Sequence, residues 1–193
     1  MSTAKDSLIS DEMSELIVQT AEKIATSDGA HNVTVRKVLR HLEITNRVFY
    51  NRFHNIGEVL EIVYRRIILK IRESATIKFD KTKDFFEQVI GIVEKTLMLS
   101  YELKMEFNQF VFETDSVLEE NFIWWINEIK KIIDYAKENN YVKPSIDSGI
   151  MSYSIWCFVK GFNADAVARK LPKEEAAKYF RYSLGFLIEG IRT

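Results

Sequence analysis

Apolar residues recur at helical spacing along almost the whole of this 193-residue chain, and little in the sequence interrupts them. The only prolines are Pro144 and Pro172, and there are only seven glycines. No run of four or more residues alternates cleanly between apolar and polar side chains and is bounded by turn residues, which is the pattern of a half-buried strand. The sequence therefore predicts an all-α fold of about nine helices.

Four of these helices are predicted in the first third of the chain. Ser10 is the expected N-cap of the first helix, which ends at Gly29. Thr34 is placed to cap a short second helix, Thr45 opens a short third helix, and Asn55 precedes a long fourth helix.

Five further helices are predicted at residues 82–100, 103–114, 117–139, 146–169 and 173–191. We expect residues 1–55 to form a helix-turn-helix head and residues 56–193 a larger helical body. The fourth helix would join the two parts.

Positive charge is concentrated in one stretch, although the whole chain has a net charge of −1. Residues 31–72 hold nine Lys or Arg against three acids, a net +6, whereas residues 1–30 come to −4 and residues 73–193 to −3. A basic stretch on an otherwise acidic chain is typical of a module that faces phosphate. An ordinary solvated face is the alternative.

The sequence offers little for catalysis, metal binding or membrane insertion. His31, His41 and His54 lie at no ligand spacing, and phosphate-binding glycine loops and nucleophile motifs are missing, so we expect no enzyme, cofactor or metal. Cys157 lies in an apolar run and is expected to be a small buried hydrophobe. Because neither a leader nor an apolar run of membrane-spanning length is present, we expect a cytoplasmic protein that does not enter a membrane.

The third predicted helix is apolar on one side and hydrogen-bonding on the other. Its inward positions are Val48, Phe49 and Phe53. Its outward residues can all hydrogen-bond and include no acid: Thr45, Asn46, Arg47, Tyr50, Asn51 and Arg52. A merely solvated helix mixes in Glu or Asp, so this pattern favours a helix that lies in the major groove of double-stranded DNA.

The stretch from Ile17 to Leu60 resembles the DNA-binding domain of TetR-family transcriptional regulators. The similarity rests on the apolar and alanine pattern of the first helix, Gly29, the run Val33-Thr34-Val35-Arg36-Lys37-Val38, Ile44, and Val48-Phe49-Tyr50 with Phe53. The resemblance implies that Thr34 and Arg36 join the six outward residues of the third helix in contacting DNA. Asn46, Arg47 and Arg52 would read bases, and Tyr50 would contact phosphate.

Three positions depart from the pattern of that family, and one of them is Leu39, which replaces the usual small residue of the second helix. Ile56 stands at the start of the fourth helix, where the family usually has a phosphate-binding lysine. Glu43 stands in the turn where the family usually has glycine. A left-handed conformation at Glu43 would cost roughly 1–2 kcal/mol.

The last two predicted helices are apolar nearly all round, over residues 146–162 and 179–191. A helix without a polar face needs cover on both sides. We expect a second copy of the chain to provide it, in the dimeric four-helix bundle that the resemblance implies, with burial inside one chain as the alternative. The expected interface residues are Phe158, Phe162, Tyr182 and Phe186.

The preceding helices hold many aromatic residues, which predict a core, a contact with the head, or a ligand cavity. The expected cavity residues are Phe86, Phe107, Phe110, Trp124, Trp125 and Trp156. No arginine occurs between Glu73 and Ala168, so these helices lack the side chain that binds carboxylates and phosphates bidentately. We therefore expect an apolar or aromatic effector, neutral or cationic.

The leading hypothesis is a ligand-responsive repressor that binds a palindromic operator as a homodimer. The alternative is a DNA-binding interaction protein, similar to the TetR-like nucleoid-occlusion factors, with a protein partner and no inducer. The two hypotheses differ in whether a small molecule releases the DNA.

Overall fold

The computed structural model describes residues 8–75, 79–102, 110–111, 114 and 119–193. Apart from one isolated bridge, all regular structure in these residues is helical, which confirms the predicted all-α class. The helices of the described residues are α1 (Glu12–Asp28), α2 (Val35–Leu42), α3 (Asn46–Tyr50), α4 (Ile56–Ala75), α5 (Phe85–Glu102), α6 (Glu119–Glu138), α7 (Ser148–Ala168) and α8 (Lys173–Ile191). The helix predicted at 103–114 lies largely outside the described residues.

The chain divides into two compact units, Met1–Leu69 and Lys70–Thr193, which we call the head and the body. This division falls inside α4, later than the predicted boundary at residue 55. The first part of α4 belongs to the head, where Val59 and Val63 are fully buried.

α1 begins one residue later than predicted, because Asp11 and not Ser10 is its N-cap. The carboxylate of Asp11 accepts a hydrogen bond from the Ser14 N–H at 3.0 Å, and the Ser14 hydroxyl accepts one from the Asp11 N–H at 3.2 Å. This reciprocal capping box satisfies two backbone donors that the helix itself cannot. Gly29 ends α1 as predicted, with a φ of 93° that glycine adopts without steric cost.

The turn between α2 and α3 is closed by a left-handed residue. Thr34 caps α2 as predicted, and its hydroxyl accepts a hydrogen bond from the Lys37 N–H at 3.2 Å. Glu43 ends α2 with φ 54° and ψ 37°, and its N–H donates to the carbonyl of Leu39. The left-handed conformation expected where the resembled family has glycine is therefore confirmed.

The start of α4 depends on a close approach at Gly57. The Asn55 side-chain oxygen accepts a hydrogen bond from the Glu58 N–H at 3.1 Å. A Cβ at position 57 would lie 2.9 Å from that same oxygen, so a larger residue would displace the cap. The Glu58 carboxylate also accepts from the His54 N–H at 2.9 Å, which lowers the pKa of Glu58.

The core of the body is built mainly by α5, α7 and α8. Phe180 of α8 is fully buried, and its ring stacks on Phe158 with centroids 5.6 Å apart and meets Phe162 edge-on at 5.2 Å. Arg192, just after α8, pairs with Asp84, just before α5, at 3.7 Å. The last turn of α8 therefore lies against the first turn of α5.

The predicted burial of Cys157 is wrong, because its side chain is exposed. It lies on the same side of α7 as the exposed Ile150 and Tyr153, at helical spacings of seven and four residues. The side chains of an apolar run point to every side of a helix, so the run alone could not show whether Cys157 is buried or exposed.

Candidate nucleic-acid interface

α3 exposes its polar side, as predicted. Phe49 is fully buried, Phe53 is 7% exposed and Val48 is half-buried, so these three residues form the inward side. The predicted DNA contacts that are exposed are Thr34, Arg36, Thr45, Asn46, Arg47, Tyr50 and Asn51. The remaining predicted contact, Arg52, is half-buried.

Two threonine hydroxyls on this surface can donate a hydrogen bond to an acceptor from outside the chain. Thr45 is the N-cap of α3, but its side chain makes no capping bond. Thr34 uses an oxygen lone pair for its cap and keeps its own hydroxyl hydrogen. Both hydroxyls suit phosphate oxygens, which position a protein on a duplex without specifying sequence.

Three arginine side chains of α2 and α3 make no hydrogen bond or ion pair with any described residue: Arg36, Arg40 and Arg47. Neighbouring cations do find acids, since Lys37 lies 3.7 Å from Asp28 and Arg65 lies 3.1 Å from Glu61. Arg40 was not among the DNA contacts expected from the sequence. Its position four residues after Arg36, one helical turn away on the same face, could have identified it.

Arg52 is held inside the head. Its Nε and Nη2 donate to the two carboxylate oxygens of Asp11 at 2.8 and 2.5 Å, and its Nη1 donates to the Val48 carbonyl at 2.8 Å. Only 13% of the side chain is exposed. Periodicity reports on neighbours a few residues away, so it could not reveal a partner forty-one positions distant.

Position 56 offers no phosphate-binding side chain. Ile56 is the first residue of α4 and is half-buried. The arginines of the head that remain without an acid partner therefore come from α2 and α3 among its described residues.

The three tryptophans form a cluster between α6 and α7 in the body. The rings of Trp124 and Trp125 meet edge-on with centroids 4.8 Å apart, and Trp125 stacks on Trp156 at 6.1 Å. Three of the predicted cavity residues are thus brought together. Phe86 is buried elsewhere in the core, under the guanidinium of Arg192 at 5.1 Å.

The other predicted cavity residues give less information. Phe107 lies outside the described residues. Phe110 is described and half-buried.

An arginine does reach the tryptophan cluster, from α4. The guanidinium of Arg72 lies 5.0 Å from the centroid of the Trp124 ring, and its Nε donates to the Asn121 side-chain oxygen at 3.0 Å. The protein's own cation therefore covers one aromatic face that a cationic ligand could have used.

Among the described residues of the body, two buried polar atoms have no hydrogen-bond partner, the hydroxyl of Tyr101 on α5 and the side-chain oxygen of Asn163 on α7. Asn163 is only 8% exposed, and burial raises the pKa of Tyr101. A buried polar atom without a partner costs about 1–3 kcal/mol, so such atoms are rare unless they have a role. Neither atom was expected from the sequence, where the one signal was a polar Asn in an otherwise apolar helix.

The four predicted interface residues divide into two pairs. Phe158 and Phe162 are half-buried against Phe180. Tyr182 and Phe186 are 69% and 65% exposed, with ring centroids 4.9 Å apart. These two rings border an open groove of about 580 Å³ between α5 and α8, whose lining includes Arg181.

Known structures identify the architecture. No protein-family model matches the sequence, and no curated protein matches it either. A TetR-family transcriptional regulator from Pectobacterium atrosepticum superposes with a TM-score of 0.73 at 15% identity, covering 94% of this chain and 95% of that one. One from Marinobacter aquaeolei gives 0.67 at 16% identity, over 95% and 92% of the two chains. A regulator from Saccharomonospora viridis, solved in complex with choline, gives 0.73 at 16% identity, over 94% and 98%.

This chain has the TetR-type fold. The match covers both the head and the body, whereas the sequence resemblance was strongest in the head alone. No helix of the described residues is long and apolar enough to cross a membrane. Nor do these residues contain a cluster of three or more side chains that could hold a metal ion.

Proposed function

We propose that the protein is a DNA-binding transcriptional regulator whose α3 reads the major groove. One observation carries this proposal: α2 and α3 expose hydrogen-bond donors on a surface where three arginines have no acid partner among the described residues. Exposed guanidinium groups that no carboxylate neutralises favour a polyanionic partner. The TetR-type fold supports the same function.

The chemistry of the exposed residues suits a duplex. Arg47 can bind guanine O6 and N7 bidentately, and Asn46 can do the same with adenine N6 and N7. The hydroxyls of Thr34, Thr45 and Tyr50 suit phosphates. A five-residue helix offers few base contacts, so a single head would read only a short sequence.

We propose that the protein binds as a two-fold dimer through α7 and α8. The apolar side chains that these two helices expose support it, with Ile150 at 70%, Tyr182 at 69% and Phe186 at 65% exposure. Exposed apolar side chains gathered on two neighbouring helices are typical of a protein interface. A two-fold dimer matches a palindromic operator, whose half-sites are related by the same symmetry.

We further propose that an effector in the body controls DNA binding. The unpartnered atoms of Tyr101 and Asn163 support it, because a ligand could supply the missing hydrogen bonds. An effector bound at Asn163 would be an apolar molecule with a hydrogen-bond donor for its side-chain oxygen. The structural neighbour that was solved with choline supports a small-molecule ligand for this fold.

Selection from a random pool of duplexes tests DNA recognition. The purified protein should enrich a palindrome, and Arg47→Ala should abolish the enrichment at one position of each half-site. Arg65→Ala is the matched control, because Arg65 is exposed but paired with Glu61. Recovery of a random pool by the wild-type protein would contradict sequence-specific binding.

A matched series of ligands tests the effector. All three tryptophans lie in the body, so their fluorescence can follow a titration with 4-alkylphenols and with the methyl ethers of the same phenols, which lack the donor. The phenols should bind more tightly and release the operator, and Asn163→Leu should remove the difference. If no small molecule of a wider panel releases DNA, the nucleoid-occlusion type of interaction protein becomes the better hypothesis.

A further inference from the structure

The end of the recognition helix is tied to the start of α1 by a bidentate ion pair. Arg52 follows α3 by two residues and Asp11 immediately precedes α1, and their side chains share two parallel hydrogen bonds of 2.8 and 2.5 Å. Bidentate arginine–carboxylate pairs fix orientation as well as distance. The hydrogen bonds from Arg52 lower the pKa of Asp11 far below its usual range, so both groups stay charged at neutral pH.

One further hydrogen bond joins the same two segments, and two others lie within them. The third guanidinium nitrogen, Nη1 of Arg52, donates to the carbonyl of Val48 inside α3 at 2.8 Å. The N–H of Ile9 donates to the carbonyl of Asn51 at 2.9 Å. The Ser14 hydroxyl in turn donates to the carbonyl of Ile9 at 3.1 Å. The carbonyl of Asn51 is therefore satisfied by the segment that begins α1, and the carbonyl of Val48 by the arginine that this segment holds.

A helix as short as α3 needs such support. Its five residues are far fewer than an isolated helix requires in water, so its orientation comes from tertiary contacts. Phe49 and Phe53 anchor the inward side. The Arg52 contacts lie at the C-terminal end of the helix, beside these buried rings, and outside the exposed surface of Asn46, Arg47 and Tyr50.

We propose that Arg52 is a positioning residue for DNA recognition and not a DNA contact. With Asp11 it holds α3 at the angle at which Asn46 and Arg47 reach base edges. This inference rests on the proposed DNA-binding function, and it gives Asp11, an acid, a positive role in binding a polyanion.

A double-mutant cycle of Asp11→Asn and Arg52→Gln tests the role. Asn is as good an N-cap as Asp, so Asp11→Asn keeps the start of α1 and removes the charge from the pair. Affinity for the selected operator and for a random duplex would be measured by fluorescence anisotropy at several salt concentrations. Arg65→Gln, which breaks an exposed pair within α4, is the matched control.

A positioning role and a direct contact give opposite results for Asp11. If Arg52 positions α3, each single variant weakens operator binding by about two-fold to one-hundred-fold, the double variant is no worse than the weaker single one, and the salt slope is unchanged. Affinity for the random duplex stays within about two-fold of wild type. If Arg52 contacts phosphate, Arg52→Gln lowers the salt slope by about one, and Asp11→Asn leaves operator affinity unchanged or raises it by removing a negative charge.

A measurement without DNA separates this inference from the proposed function. In ¹⁵N spectra, Asp11→Asn should shift the amides of residues 46–50 while leaving those of the body in place. Unshifted α3 amides, or additive effects in the cycle, would overturn the positioning role even if the wild-type protein binds its operator. If the α3 amides shift but the wild-type protein selects no sequence, the proposed function fails and the role of Arg52 in DNA recognition fails with it.

Discussion

Among the described residues, the head and the body each expose groups without a partner, and the most prominent of these groups differ in kind. In the head they are charged and polar: Arg36, Arg40 and Arg47 have no acid partner among the described residues. The body holds the most exposed large apolar side chains of the described residues, with Ile150 and Phe186 both at least 65% exposed. Water solvates a lone guanidinium well but an aromatic ring poorly, so the two surfaces are suited to different partners.

This difference allows two partners to be inferred from one chain. A polyanion suits the head, because it can neutralise several cations at once and release counterions. A second apolar surface suits the body, because burying exposed rings removes them from water at about 25 cal/mol for each Å². Each inference can be tested by placing the wrong kind of group on the surface.

The largest effect is expected when a charge is placed on the apolar surface of the body. Phe186→Glu should dissociate the dimer, because a carboxylate buried without a partner costs about 3–5 kcal/mol. Sedimentation or light scattering at micromolar concentration would measure the mass. Ile123→Glu is the matched control, since Ile123 is 51% exposed on α6 and should tolerate the charge. A wild-type monomer at that concentration would contradict the role assigned to the α7 and α8 surface.

A smaller effect is expected when single donors are removed from the head. Arg47→Ala or Asn46→Ala should each cost about 1–3 kcal/mol of operator binding and relax base preference at one position per half-site. Tyr50→Phe should weaken binding to all sequences alike, because phosphate contacts carry no sequence information. Equal losses on operator and random DNA for Arg47→Ala would overturn its assignment as a base reader.

Local features of the structure were predictable from the sequence, because their causes are local. The periodicity of apolar residues placed α5 to α8 within three residues of their observed ends. Capping by Thr34, the stop at Gly29 and the left-handed Glu43 follow from the chemistry of one residue and its close neighbours. The exposed side of α3 followed from the same reasoning.

Features that depend on distant residues were not predictable in this way. Arg52 has the residue type and spacing of a DNA contact, and only the fold brings Asp11 beside it. Arg72 belongs to α4 in sequence, yet it covers the ring of Trp124. Cys157 shares its apolar run with core residues but faces the other way. In each case the sequence pattern indicated the type of residue, and tertiary packing decided what surrounds it.

A third prediction separates the stability of the head from that of the body. Glu43→Gly should stabilise the head by about 1 kcal/mol. Glycine relieves a left-handed conformation that costs other residues roughly 1–2 kcal/mol. The entropy that glycine adds to the unfolded chain offsets part of this gain. Hydrogen exchange followed by mass spectrometry should show slower exchange in head peptides only. Glu43→Ala keeps the strained backbone and should give no gain. Equal stabilisation by Ala and Gly would assign the effect to the side chain.

The smallest expected effect is a difference in how pH destabilises the two regions. In the head, hydrogen bonds from Arg66 and then Gln19 lower the pKa of Glu15 from 4.5 to about 2. The stability from this shift is present above pH 4.5 and is lost as pH falls toward 2. In the body, burial raises the pKa of Tyr101 above 10.0, so its contribution is present below pH 10.0 and is lost as pH rises further.

Acid should therefore unfold the head before the body, and base should unfold the body before the head. Hydrogen exchange of peptides from each region would measure both. Glu15→Gln should reduce the acid sensitivity of the head by about 0.5 kcal/mol. The effect is small because the side chains of Glu15 and Arg66 are both partly exposed to solvent. The remaining acid sensitivity comes from Asp11 and Glu58, whose pKa values are also lowered. Tyr101→Phe should reduce the base sensitivity of the body and leave the acid response of the head unchanged. If both variants changed the pH sensitivity of both regions equally, the head and the body would unfold as one unit. The two regions would then differ in their exposed surfaces but not in their stability.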